Sequence, residues 1–154
     1  YEALKKSGLV DGREPDLGPA ELHPTAGATV VGARGPLIAY NINLASADID
    51  AANKIAAMIR ELRDSGQGMA GVKAIGVYLK SRDIAQVSMN LTQPHHTGIW
   101  DVYKFVENEA GKMGIDVLES ELIGAITEEV ILSAIKSSMR FPGLNSKRIL
   151  DNWM

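Results

Sequence analysis

Two stretches of this chain place amide or hydroxyl side chains at every second residue of an otherwise apolar run. In Leu37-Ile-Ala-Tyr-Asn-Ile-Asn-Leu44, Asn41 and Asn43 fall with Ala39 on one side, while Ile38, Tyr40, Ile42 and Leu44 fall on the other. In Ile84–Leu91, Gln86, Ser88 and Asn90 alternate with Ala85, Val87, Met89 and Leu91. A period of two is that of a strand with one greasy face and one hydrogen-bonding face. Strands that face water usually display Lys, Glu and Thr. A set of uncharged groups that both donate and accept points instead to a face covered by a small polar ligand or by another domain. Asn41, Asn43, Gln86, Ser88 and Asn90 are therefore the candidate substrate-binding residues.

Other residues with chemical potential are less well placed. His95 and His96 are adjacent, so their rings point apart on most backbones, and no carboxylate stands at ligand spacing; a solvated loop pair is the expectation, with no metal site. His23-Pro24 would need an orienting partner to act as a general base, and the sequence reveals none. Gly66-Gln-Gly68-Met-Ala-Gly71 has the spacing of a dinucleotide loop but follows a predicted helix and precedes a strand, the reverse of the required order. Between Gly27 and Gly35, Ala33-Arg34 stands where a phosphate loop needs Lys and Ser or Thr. Lys136, Arg140, Lys147 and Arg148 are spread over a helix and a tail, with nothing to converge them. No catalytic residue is assigned within the chain.

Composition narrows the classes further. The 154 residues are 45% hydrophobic, which is enough for one core, and only 5% aromatic, so that core is built from Ile, Leu, Val, Ala and Met. Sixteen basic and nineteen acidic residues give a net charge of -3, with no general attraction for nucleic acid or an anionic membrane. An RNA-binding sheet would also need exposed aromatic and basic residues, for which only Tyr78 qualifies. The lack of cysteine excludes a thiolate nucleophile, a disulfide framework and Cys-ligated metal. No apolar run approaches the roughly 20 residues of a membrane span, and the opening Tyr1-Glu-Ala-Leu-Lys-Lys lacks a secretory segment. A cytoplasmic protein is expected. Tyr1 in place of Met fits a processed or shortened chain, or a piece of a longer one.

The elements that must position the amides follow from periodicity and punctuation. Residues 1–27 carry closely spaced Gly and Pro and predict an irregular segment with room for a short helix at its start. Ala28 to Leu44 reads as β structure interrupted at Gly32 and Gly35-Pro36. Ser46 or Asp48 caps a helix with Ile49, Ala52, Ile55, Ala56, Ile59 and Leu62 as its apolar stripe, ended by Gly66 and Gly68. Strands Val72 to Leu79 and Ile84 to Leu91 form a hairpin, with Ala74 and Gly76 expected on the amide face. Thr97 caps a second helix, closed by Gly114. A last strand runs from Ile115 towards Ile126 with a break at Glu119-Ser-Glu121, and Thr127 starts a third helix. This order predicts an α+β, ferredoxin-like split βαβ fold: a four-stranded antiparallel sheet with helices on one face and an added C-terminal helix. Tyr40, Ile42, Val87 and Met89 should pack under the helices.

Several of these segments carry a family resemblance. Gly18-Pro19, Pro24, Gly27-Ala-Thr-Val-Val-Gly-Ala-Arg34 and Leu37-Ile-Ala-Tyr-Asn-Ile-Asn-Leu44 resemble the junction and opening strand of the formiminotransferase domain of glutamate formiminotransferases. Val72-Lys-Ala-Ile-Gly-Val-Tyr-Leu79, Ala85-Gln-Val-Ser-Met-Asn-Leu91 and Ser120-Glu-Leu-Ile-Gly124 are similar to that family's later strands, in order and at compatible spacing. The likeness covers roughly residues 15 to 126. Two features depart from the family pattern: no aromatic residue precedes Pro15-Asp16, and Gly35-Pro36 replaces a larger pair.

The resemblance implies a C-terminal subdomain over residues 28–154, preceded in residues 1–27 by a loop that contacts folate. By position that loop comprises Gly18, Pro19, Ala20, Glu21, Leu22, His23, Pro24, Thr25, Ala26 and Gly27; Gly18, Pro19, Pro24 and Gly27 match the family motif itself. The implied reaction moves a formimino group from N-formimino-L-glutamate to tetrahydrofolate, the co-substrate, in histidine breakdown. The amides on the sheet would suit a pterin and a glutamate tail. The family's catalytic histidine lies in the N-terminal subdomain, in a His-Pro-Arg context that this sequence does not reproduce. The implied partner is therefore an N-terminal formiminotransferase subdomain, in cis or as a separate chain, and homo-oligomerisation is left open. A non-catalytic ferredoxin-like module that binds folate or another small ligand is the alternative.

Overall fold

The computed structural model describes Leu9 and residues 14–153, so the short helix suggested for the first residues lies outside the described part. The chain divides into two units, residues 1–34 and 35–154. In the first, the only bridge of β type among the described residues joins His23 to Gly27.

The second unit runs β1 (Ile38–Leu44), α1 (Ile49–Asp64), β2 (Val72–Leu79), β3 (Ile84–Leu91), α2 (Ile99–Lys112), β4 (Val117–Ile123) and α3 (Glu128–Met139), followed by two 3-10 turns. The strands form one sheet in the order β2-β3-β1-β4, with every neighbour antiparallel. This is the ferredoxin-like split βαβ arrangement. Burial of one strand face drives it. Ile38, Tyr40, Ile42 and Leu44 from β1 and Ala85, Val87, Met89 and Leu91 from β3 meet Ala52, Ile55, Ala56 and Ile59 of α1 and Val102, Val106 and Ala110 of α2.

The helix ends are set locally. The Asp48 carboxylate caps α1, accepting from the N–H groups of Asp50 at 3.0 Å and Ala51 at 3.1 Å. Such a cap is worth about 1 kcal/mol. Helix α2 is capped at Gly98 rather than Thr97: the Gly98 N–H donates to the Asp101 carboxylate at 2.9 Å, and Thr97 is buried just before it. Thr97 sits one position too early because the N-cap needs only extended backbone, which Gly98 supplies (φ -81°, ψ 169°).

Three further expectations are corrected. Residues 28–31 form no strand, and β structure starts at Ile38. A run of β-forming residues becomes a strand only with a pairing partner, and β1 finds its partners on β3 and β4 from Ile38 onward. The last strand is not broken at Glu119-Ser-Glu121. Instead, Asn43 pairs with Glu119 and Leu44 with Val117, so one extra residue of β4 is absorbed there as a bulge and the strand runs on to Ile123.

The third correction concerns Ala74 and Gly76, which lie on the helix side. Register pairs them with Met89 and Val87, both core residues. Strand β2 has apolar residues at both parities, so alternation alone does not select its face. The small residues make room for α1 and not for a ligand. A Cβ on Gly76 would stand 2.7 Å from the backbone nitrogen of Asn53 and 2.9 Å from its Cα. The same helix covers the free edge of β2: the guanidinium groups of Arg60 and Arg63 donate to the carbonyl oxygens of Ala74 at 2.7 Å and Val72 at 3.0 Å.

Gly76→Ala should therefore push α1 off the sheet and lower the stability of the chain by about 1–3 kcal/mol. Chemical denaturation of the two proteins measures this. Wild-type stability in the variant would mean that the helix is not seated as closely as described.

Candidate functional site

The side of the sheet turned away from the helices is ordered in rows by the register. Asn43 lies between Gln86 and Glu119, Asn41 between Ser88 and Glu121, and Ala39 between Asn90 and Ile123. Strand β2 extends the same rows with Val77, Ile75 and Lys73. Asn41, Asn43, Gln86, Ser88 and Asn90 thus share one face, opposite the apolar core.

The face is not uncharged. Strand β4 adds two carboxylates that tie the amides together. Glu121 Oε2 accepts from Asn41 Nδ2 at 3.1 Å and from Gln86 Nε2 at 3.2 Å. Gln86 Nε2 also donates to Asn43 Oδ1 at 2.7 Å, and Asn43 Nδ2 donates to Glu119 Oε1 at 3.0 Å. Glu119 Oε1 accepts from Arg82 Nη1 at 2.6 Å, where Arg82 belongs to the β2–β3 turn. One hydrogen-bonded chain therefore crosses β4, β1 and β3. Asn43 is 0% exposed, Gln86 4% and Asn41 8%, and no buried side-chain polar atom among the described residues lacks a partner. Ser88 is half-buried and Asn90 is exposed, and neither makes a side-chain hydrogen bond to another described residue. The network fixes three amides and leaves these two groups outside it.

Arg82 and then Asn43 hold the Glu119 carboxyl below the usual carboxylate range, because both donate to its charged form. On the opposite face, burial raises the Tyr40 phenol, and the 2.7 Å hydrogen bond between its hydroxyl and Ser120 partly offsets this.

Sequence periodicity missed Glu119, Glu121 and Arg82. The two glutamates alternate with Ser120 and Leu122, as a strand requires, but the bulge next to Leu118 hides which parity faces outward. Tyr78 drops out of the face, since it pairs with Ala85 on the helix-side parity and donates its hydroxyl to Asp83. His95 lies 3.3 Å from Glu129 in an exposed contact. Among the described residues no group of three or more His, Asp or Glu could hold a metal ion. The glycine run from Gly66 to Gly71 is the turn from α1 into β2, with positive φ at Gly66, Gly68 and Gly71.

In the first unit the segment from Gly18 to Gly27 begins and ends on glycines with positive φ (99° and 67°), a backbone shape that other residues rarely adopt. His23 and Gly27 exchange backbone hydrogen bonds at 3.2 and 2.9 Å and close a turn over Pro24-Thr25-Ala26. Inside it, the N–H groups of Thr25 and Ala26 donate to His23 Nδ1 at 3.3 and 3.1 Å, and the Thr25 hydroxyl stands 3.3 Å from the same nitrogen. A hollow of about 330 Å³ is lined by Pro19, Glu21, Leu22, His23, Pro24 and Gly27, together with neighbouring residues from Pro15 to Thr29. Gly18, Ala20, Thr25 and Ala26 do not line it.

Protonating Glu119 removes the acceptor that Arg82 and Asn43 share. A carboxyl with a lowered folded-state pKa contributes stability above its unfolded pKa, and that contribution is lost as pH falls through the folded value. Carboxyl NMR titration should find Glu119 protonating below the usual glutamate range, and Arg82→Ala should move it back up. An unchanged titration in the variant would remove Arg82 from the network.

The comparisons with known proteins agree with this architecture. The family model described as the formiminotransferase domain matches residues 39–144. A glutamate formimidoyltransferase of Streptococcus pyogenes is 38% identical over 99% of this chain and 50% of its own length, and one of Thermoplasma acidophilum is 36% identical over 100% and 50%. A formimidoyltransferase-cyclodeaminase of Rattus norvegicus is 38% identical over 87% of this chain and 25% of its own length. The chain thus spans about half the length of the first two relatives and about a quarter of the third. With its matched region running from β1 through α3, this chain belongs to the formiminotransferase domain family.

Proposed function

We propose that this chain is one half of a glutamate formiminotransferase, which binds tetrahydrofolate through the segment from Gly18 to Gly27 and presents the Asn41, Asn43, Gln86, Ser88 and Asn90 face to the substrate. The observation that carries the reading is a polar sheet face organised by its own hydrogen bonds, in a chain collinear with half of two glutamate formimidoyltransferases. The other half, in cis or as a separate chain, would form the opposing wall.

The transfer sets clear demands on such a site. A nitrogen of the reduced folate adds to the amidine carbon of the donor. The bond from that carbon to the glutamate nitrogen breaks, and a proton passes from the folate nitrogen to the departing amine. The two nitrogens must be held close, and positioning of this kind can contribute several kcal/mol to a transfer between two bound molecules. Rigid amides serve this role because they orient polar groups without competing for the proton. In this reading the chain brings positioning, and the group that moves the proton comes from the opposing half. No helix among the described residues is long and apolar enough to cross a membrane.

The test mixes the chain with tetrahydrofolate and formiminoglutamate, alone and with a matching N-terminal half. Transfer should require both halves. Folate binding without transfer in the complete mixture would support the non-catalytic binding module instead, and no binding of either molecule would overturn both. Asn90→Ala should weaken ligand binding by about threefold to tenfold, the loss of one hydrogen bond, with stability unchanged within about 0.5 kcal/mol. Equal losses in binding and stability would remove Asn90 from the site.

A further inference from the structure

The turn at the end of the Gly18–Gly27 segment is organised around one imidazole. His23 Nδ1 receives the N–H groups of residues two and three positions ahead, at 3.3 Å from Thr25 and 3.1 Å from Ala26. This is the pattern in which an Asn or Asp side chain closes a turn, here made by a histidine. Two backbone donors aimed at Nδ1 make that nitrogen an acceptor, so the neutral ring carries its proton on Nε2. The same ring lines the hollow with Pro19, Glu21 and Leu22.

We propose that neutral His23 is the positioning residue of this segment, holding the turn and with it the ligand-binding shape of the hollow, so that binding there weakens as the imidazole takes up a proton. Protonation places an N–H on Nδ1 where the Thr25 and Ala26 N–H groups already point. Two hydrogen bonds are lost and three donors face one another. The turn residues Pro24, Thr25, Ala26 and Gly27 are uncharged, and the Thr25 hydroxyl, 3.3 Å from Nδ1, is the acceptor at hand for the new N–H. Among the described residues lining the hollow, Glu21 is the one carboxylate, and it is the second group whose titration must be separated. The identity of the ligand rests on the folate reading above; the pH-dependent turn does not.

The experiment uses the full chain, labelled with ¹⁵N, and tetrahydrofolate kept reduced. Imidazole nitrogen spectra should find the Nε2–H form at neutral pH, and the Ala26 amide signal should move along the imidazole titration. Only the fraction of molecules with a closed turn is competent to bind, and each pH unit below the midpoint leaves about a tenth of the rings neutral. Affinity should therefore fall about tenfold for each pH unit below that midpoint. His23→Asn should keep the turn and bind more tightly than His23→Ala while abolishing the pH dependence, because its Oδ1 accepts the same two N–H groups and does not titrate. His23→Ala should lose about tenfold at every pH, and Glu21→Gln should leave the profile in place.

An Nδ1–H ring at neutral pH, an Ala26 amide indifferent to the imidazole, or a pH dependence abolished by Glu21→Gln would overturn the proposal. Folate binding that ignores both pH and His23→Ala would overturn it while leaving the folate reading intact. A turn that titrates and is rescued by Asn, with no folate bound at any pH, would uphold the role of His23 in the turn and overturn the folate reading.

Discussion

The register of β1 between β3 and β4 is the constraint on which the rest of the structure depends. Burying Tyr40, Ile42 and Leu44 beneath two helices forces Asn41 and Asn43 to the opposite side, and strand pairing then aligns them with Gln86, Ser88, Glu119 and Glu121. A one-residue slip would bring Asn43 under α1 and α2 and expel Ile42 into solvent. Each change costs several kcal/mol, for an amide without its partners and for an isoleucine returned to water. The hydrophobic core therefore sets the geometry of the polar face, although the two share no atoms.

That separation makes an unfinished surface compatible with a stable fold. The amides satisfy one another and the carboxylates, so the face carries no unpaired buried polar group among the described residues. The network also differs in kind from a cluster of acids. Glu121 is held by two neutral amides, whereas Glu119 is held by an amide and a guanidinium at the edge. The negative charge is thereby spread over amide donors fixed to strands and one guanidinium from the β2–β3 turn. A ligand meeting this surface finds oriented dipoles without a reorganisation cost, and it finds Ser88 and Asn90 with hydrogen-bonding capacity still to use.

Legibility in the sequence varied with how many forces agreed at each residue. Strand β3 was plain because polar and apolar residues alternate without exception from Ala85 to Leu91. Helices α1 and α2 were plain because a three-four apolar spacing coincides with capping groups and terminal glycines. Strand β2 was legible as a strand but not by face. Val72, Ile75 and Val77 are apolar at both parities, and the outward set is chosen by pairing with β3 and by the need to seat α1 over Gly76. Strand β4 concealed two network residues for a similar reason: a bulge reverses parity between Val117 and Glu119, and no local pattern announces it. The five amide and hydroxyl residues were legible as a set. Their attachment to Arg82, thirty-seven residues from Glu119, was not, because it depends on where the β2–β3 turn lies in space.

The two regions assigned to binding achieve order by different means, and this bears on how each can respond to its surroundings. On the sheet, position is imposed from below by a buried core, so a single polar substitution leaves the backbone in place and alters only what the face presents. In the segment from Gly18 to Gly27 there is no core to impose position, and every residue lining the hollow except the half-buried Pro15 is exposed. Order there comes from backbone shape at two glycines, ring constraint at Pro19 and Pro24, and the hydrogen bonds that converge on His23. Short local bonds of this type each add about 1 kcal/mol, so their loss alters the population of shapes without unfolding the chain. In the proposed function, the surface that keeps fixed distances is therefore the sheet, and the surface whose occupancy follows conditions is the loop.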